Sequence, residues 1–150
     1  MRRGCRTRSL APGLLMVVFL LGSAEPATQP RNHLIRIGPK AYMVSDREPA
    51  RLSIQKKNTI NWVGDEIIFR INFPIDEFPI LSDGTRVSVP PLKDMTLGNS
   101  KKTWMPNGGA NKINPDLRSL IDRAQGHELA YGYRIHTGKS WGHGWLIIQE

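Results

Sequence analysis

Two histidines, His136 and His143, stand on either side of the short segment Thr137-Gly138-Lys139-Ser140. If that segment is a hairpin turn, both imidazoles lie on paired strands, where cross-strand Cβ atoms approach to about 5 Å. That is close enough to share a Cu²⁺ or Zn²⁺ ion, with His127, Glu128 or Met105 as third ligand. A hairpin with two solvated histidines, partly stacked on tryptophan, explains the same residues without a metal. His136 and His143 are therefore weak metal candidates, and the expectation is no metal and no other cofactor.

Carboxylate doublets occur at Asp65-Glu66 and Asp76-Glu77. Glycoside hydrolysis needs two carboxyl groups roughly 5–10 Å apart across a cleft. Neighbouring residues of a strand point to opposite faces, so neither doublet supplies such a pair if it lies in a strand. The run from Gly132 to Gly138-Lys139-Ser140 resembles a phosphate-binding loop. It has five residues between the glycines instead of four, and Trp141-Gly142-His143-Gly144 is a poor helix start. No Gly-x-Ser-x-Gly elbow is found. No catalytic residue is assigned.

Aromatic residues give a more positive signal. Tyr131 and Tyr133 share one face of one segment; Trp141, His143 and Trp145 share one face of the next, with Gly132, Gly142 and Gly144 opposite. The expected reading is that Tyr131, Tyr133 and Trp145 are core and the glycines permit close packing. The alternative is an aromatic platform for a sugar ring or a partner segment. Trp104 lies in a polar stretch, 92–114, beside Lys101, Lys102, Asn107, Gly108 and Gly109. Little in that stretch can pack, so an exposed Trp104 is expected, and tryptophan is enriched among binding hot spots. Trp104, Lys101, Lys102 and Trp141 form the candidate binding set.

Residues 1–24 decide where this chemistry would operate. Arg2, Arg3, Arg6 and Arg8 precede an apolar run, Leu14 to Leu21, closed by Gly22-Ser23-Ala24. A basic start, a short apolar run and small residues form a secretory signal peptide, and the run is short for a membrane span. Cleavage after Ala24 is expected to leave 126 of the 150 residues, enough for one domain. The four arginines depart with no acidic residue, which takes the formal charge from +8 to +4. That balance favours weak contact with anionic surfaces and does not indicate nucleic acid. The single cysteine, Cys5, also lies in the signal, so the mature chain has no disulfide and no thiolate. No Asn-x-Ser/Thr sequon occurs. Together these favour a periplasmic or secreted protein with no transmembrane segment after cleavage.

The elements that must position these residues are mostly strands. Residues 25–40 read as a flexible leader with one strand at His33–Ile37, and 41–150 as the mainly β domain. Tyr42–Val44, Arg51–Gln55 and Ile60–Val63 are strand candidates. Glu66–Phe73 alternates most clearly, with Ile67, Phe69, Ile71 and Phe73 on one face. Thr85–Val89 follows a Ser82-Asp83-Gly84 turn. Asn114-Pro115 opens a helix carrying Leu117, Leu120, Ile121 and Ala124 on one face, with Gly126 as its stop. Glu128–His136 and Trp141–Gln149 form a terminal hairpin. The expected fold is mainly β: a single β-sandwich or small open barrel of about seven strands, with one short helix before the C-terminal hairpin. The expected function is an exported, non-catalytic interaction domain binding another exported protein. The alternatives are a metal-handling protein using His136 and His143, and a small secreted enzyme acting on polysaccharide.

Overall fold

A computed structural model describes residues 29–38, 49–138 and 140–150. The signal segment, most of the leader and the Tyr42–Val44 candidate lie outside the described residues. The architecture is mainly β, with two sheets consistent with a sandwich and not a closed barrel. The described strands are β1 (Asn32–Ile37), β2 (Ala50–Ser53), β3 (Thr59–Gly64), β4 (Arg70–Pro74), β5 (Thr96–Leu97), β6 (Thr103–Met105), β7 (Asn111–Lys112), β8 (Glu128–His136) and β9 (Trp141–Gln149). One sheet has the order β1-β3-β7 and the other β2-β9-β8-β4-β6-β5. Pairings are antiparallel except β1 with β3 and β2 with β9, which are parallel.

The sheets pack through aromatic side chains. Trp62 of β3 meets Phe73 of β4 and Tyr133 of β8 edge to face, at centroid distances of 6.1 and 5.6 Å. Phe78 meets Tyr131 at 5.0 Å, and the buried Tyr131 satisfies its hydroxyl by donating to the carbonyl of Val89 at 2.9 Å. Buried Asn58 helps carry the chain from β2 in one sheet to β3 in the other. Its Oδ1 accepts from the amide of Ser53 at 3.0 Å, and its own amide donates to the Ser53 carbonyl. The side chain substitutes for a backbone partner where the ladder ends.

The terminal hairpin has the bounds read from sequence. Four other segments differ. The Glu66–Phe73 strand begins only at Arg70, because Glu66 adopts φ 56°, a left-handed conformation that interrupts extended chain. Ile71 and Phe73 still face the core, while Ile68 is exposed. The 92–114 stretch is not one long loop: β5 and β6 form a small hairpin, and β7 joins β3. Strands of two or three residues are too short to show a period-2 pattern. The helix shrinks to α1 (Arg118–Ile121) between 3-10 turns at Pro115–Leu117 and Gln125–His127. The amides of Arg123 and Ala124 bond to residues three back, which tightens the turn where an α-helix would continue. Its start is as expected: Asn114 Oδ1 caps the amide of Asp116 at 3.1 Å, and Leu117, Ile121 and Ala124 are buried, with Leu120 half-buried. Thr85–Val89 contributes only a bridge between Ile80 and Arg86.

Candidate functional site

The hairpin register decides which aromatic side chains reach solvent. Tyr131 pairs with Leu146, Tyr133 with Gly144 and Ile135 with Gly142 on the core face. On the outer face Gly132 pairs with Trp145, Arg134 with His143 and His136 with Trp141. The tyrosines are therefore core as expected, and Trp145 is not: it is 46% exposed, and Trp141 is 68% exposed. Gly142 and Gly144 are buried because they lie on the inward face, where Tyr133 fills the space a side chain at Gly144 would need.

Glu77 closes this outer face from above. It sits on the 3-10 turn Ile75–Glu77 that follows β4, and its side chain crosses Gly132. A Cβ at that position would collide with the carboxylate, so glycine gives the acid its seat. Arg134 donates to Glu77 Oε1 through Nε at 2.9 Å and Nη2 at 2.6 Å. His143 Nε2 lies 2.6 Å from Glu77 Oε2. Burial works against ionisation of Glu77, but hydrogen bonds from Arg134 and His143, with their charges, hold its pKa below the ordinary value. Asp76 Oδ2 lies 4.0 Å from Arg134 Nη2. The Asp76-Glu77 doublet is thus not in a strand, and both acids approach the same guanidinium. The His143 ring then meets Trp145 edge to face at 5.1 Å.

Chemically this is a clamp. Two short donors share one oxygen of Glu77 and an imidazole takes the other, which leaves the carboxylate engaged and fixes Arg134, His143 and Trp145 in place. An indole beside a hydrogen-bonded charge network, on two neighbouring strands of the six-stranded sheet, is suited to recognition of a surface.

Arg70 and Asn72 of β4 extend the outer face by pairing with His136 and Arg134. They line, with His136 and the Asn99-Ser100 turn, a cleft of about 590 Å³. Asn72 Oδ1 is buried without a partner among the described residues. Lys101 and Lys102 are exposed in the β5–β6 turn, and the carbonyl of Lys102 accepts from Ile75 at the base of the Glu77 turn. The structure therefore places the lysine pair beside the Glu77 turn, with β4 and β8 between it and the tryptophans of β9. Trp104 differs from expectation: it is half-buried in β6, paired with Phe73 and packed against the core.

His136 and His143 share the outer face, but the register sets them diagonally, where neighbours lie roughly 7–8 Å apart. Among the described residues no group of three or more His, Cys, Asp or Glu side chains could hold a metal ion. Of the suggested third ligands, Glu128 is paired with Arg51 at 2.7 Å. No described helix is long and apolar enough to cross a membrane.

Glu77 and Arg134 were missed as site residues. A signal for them existed in the alternation of β8, which places Gly132 and Arg134 on the face opposite the tyrosines. Nothing local in the sequence shows that Glu77 would fold onto that glycine.

No protein-family model, curated protein or solved structure matches this chain.

Proposed function

We propose that this chain is an exported, non-catalytic interaction domain that docks another exported protein on the outer face of the β8–β9 hairpin. The observation that supports it is the pair Trp141 and Trp145, exposed on either side of His143 while the aromatic core is complete without them. Two large indoles in water are unfavourable for a free domain and become favourable when covered. The clamp of Glu77, Arg134 and His143 lowers the entropy lost on docking, because these side chains are already ordered. Lys101 and Lys102, across β8 and β4 in the same sheet, supply cations for the far edge of a docked partner. Trp104 contributes by holding β6 in the sheet.

The test is affinity capture from the exported fraction of the native host, with the parent protein and with Trp141→Ala/Trp145→Ala. The expected result is a specific protein retained by the parent and lost with the double variant, both proteins having the same thermal midpoint. Equal capture by both would remove the tryptophan face from the reading.

A further inference from the structure

A second surface lies toward the other end of β9, away from Trp141. It consists of two clefts that share Asn58 as a wall. One, of about 540 Å³, is lined mainly by apolar surface from Pro30, Ile54, Ile113 and Pro115, with Lys57, Lys112 and Arg118 at its margin. The other, of about 210 Å³, is polar and contains Arg31, His33, Arg51 and Lys56. Among the described residues, neither is lined by an aspartate or glutamate.

Most of the charge here has no ion-pair partner, although the Glu150 main-chain oxygen accepts from Ser53 Oγ at 2.9 Å on the wall of the polar cleft. Arg51 is paired with Glu128, but among the described residues the side chains of Arg31, Lys56, Lys57, Lys112 and Arg118 have no ion-pair or hydrogen-bond partner. Half-buried His33 is affected by the same field: burial first, and then the charge of Arg31, lowers its pKa. An apolar trough beside a group of unpaired cations matches a molecule with an apolar chain and an anionic end. The trough lies within the size range of small-molecule sites. Long lysine and arginine stems also cover apolar surface while their charged ends stay in water, which suits the margin of the trough.

We propose that these two neighbouring clefts, on either side of Asn58, together bind a single-chain amphiphile with an anionic head, the head among Arg31, His33 and Lys56 and the chain along Ile54, Ile113 and Pro115. The site is independent of the tryptophan face. Phosphate and carboxylate heads share the required chemistry, and their relative affinity distinguishes them.

Isothermal titration of the purified protein with dodecyl phosphate and dodecanoate, each below its micelle concentration, tests the site. The expected result is one-to-one binding of at least one of them. Affinity should rise two- to fourfold for each methylene added between decyl and tetradecyl chains, fourfold corresponding to full burial. Arg31→Glu/Lys56→Glu should weaken binding tenfold or more, and Lys112→Glu/Arg118→Glu should do so less. All four positions are exposed, so the fold is not at risk. Equal affinity for dodecyl maltoside would overturn the anionic head, and equal affinity for inorganic phosphate would overturn the apolar trough. Unchanged binding by the charge-reversed variants would overturn the location. Association with phosphatidylglycerol vesicles, with no binding of the free amphiphiles, would replace the site with a membrane-docking surface.

Discussion

Tyr133 lies over Gly144, its direct partner across the terminal hairpin, and occupies the volume a side chain there would take. The same ring contacts Phe73 at 5.4 Å and Trp62 at 5.6 Å, so it joins three strands from both sheets. Gly144→Ala should overpack this contact and cost about 1–3 kcal/mol. At about 4 °C per kcal/mol for a domain of this size, the thermal midpoint should fall by roughly 4–12 °C. Gly108→Ala, at a position with open space around its Cα, should change it little. Thermal denaturation of the two variants beside the parent checks this; equal midpoints would contradict the packing.

Glu77→Gln should lower the midpoint by a few degrees near neutral pH, and that difference should disappear in acid. The sign follows from linkage. The folded-state pKa of Glu77 lies below its ordinary value of 4.5, so the folded state binds its proton less readily than the unfolded chain does. Its contribution is fully present above the unfolded value and is lost as pH falls through the folded one. Melts of parent and variant at pH 7 and pH 3 provide the measurement. A difference that persists undiminished at pH 3 would show that Glu77 acts through packing on Gly132 and not through its charge.

Trp104 and Trp141 should separate stability from recognition. Trp104 is half-buried against the core, so Trp104→Ala should cost about 1–3 kcal/mol, below the 3–5 kcal/mol of a fully buried aromatic. Trp141→Ala removes an exposed ring and should fall within about 0.5 kcal/mol of the parent. Urea unfolding of both variants would reveal it; a larger loss for Trp141 would place that ring in the core.

Leu117 and Leu120 flank the short helix with different burial. Leu117 is fully buried, and Leu117→Ala should cost about 2–5 kcal/mol, a large share of the stability of a small domain. Leu120 is half-buried and its truncation should cost less than half as much. Chemical denaturation of the two variants compares them directly. A reversed order would mean that the helix presents the other face to the core.

Much of this organisation is legible in the residues alone. The terminal hairpin is, because nine-residue strands give alternation enough repeats to emerge and Thr137–Ser140 supplies the turn. The helix start is also legible, since Asn114 and Pro115 act through their own backbone chemistry. So is the inward face of β4 at Ile71 and Phe73. These are local properties: a cap, a turn and a period depend on neighbours a few residues away.

Tertiary structure decided the rest. Period-2 alternation shows that Trp141, His143 and Trp145 share a face, but not which face turns inward. That choice depends on volume contributed by other strands: Tyr133 of β8 already fills the core side at Gly144, which leaves room there only for a glycine and turns the tryptophans outward. Glu77 reaches Gly132 across 55 residues of chain, and Arg134 and His143 meet it there. Strands β5, β6 and β7 exist only because longer neighbours offer hydrogen bonds to pair with. A contact between distant residues depends on how whole elements fill space together, and no window of local sequence contains that information.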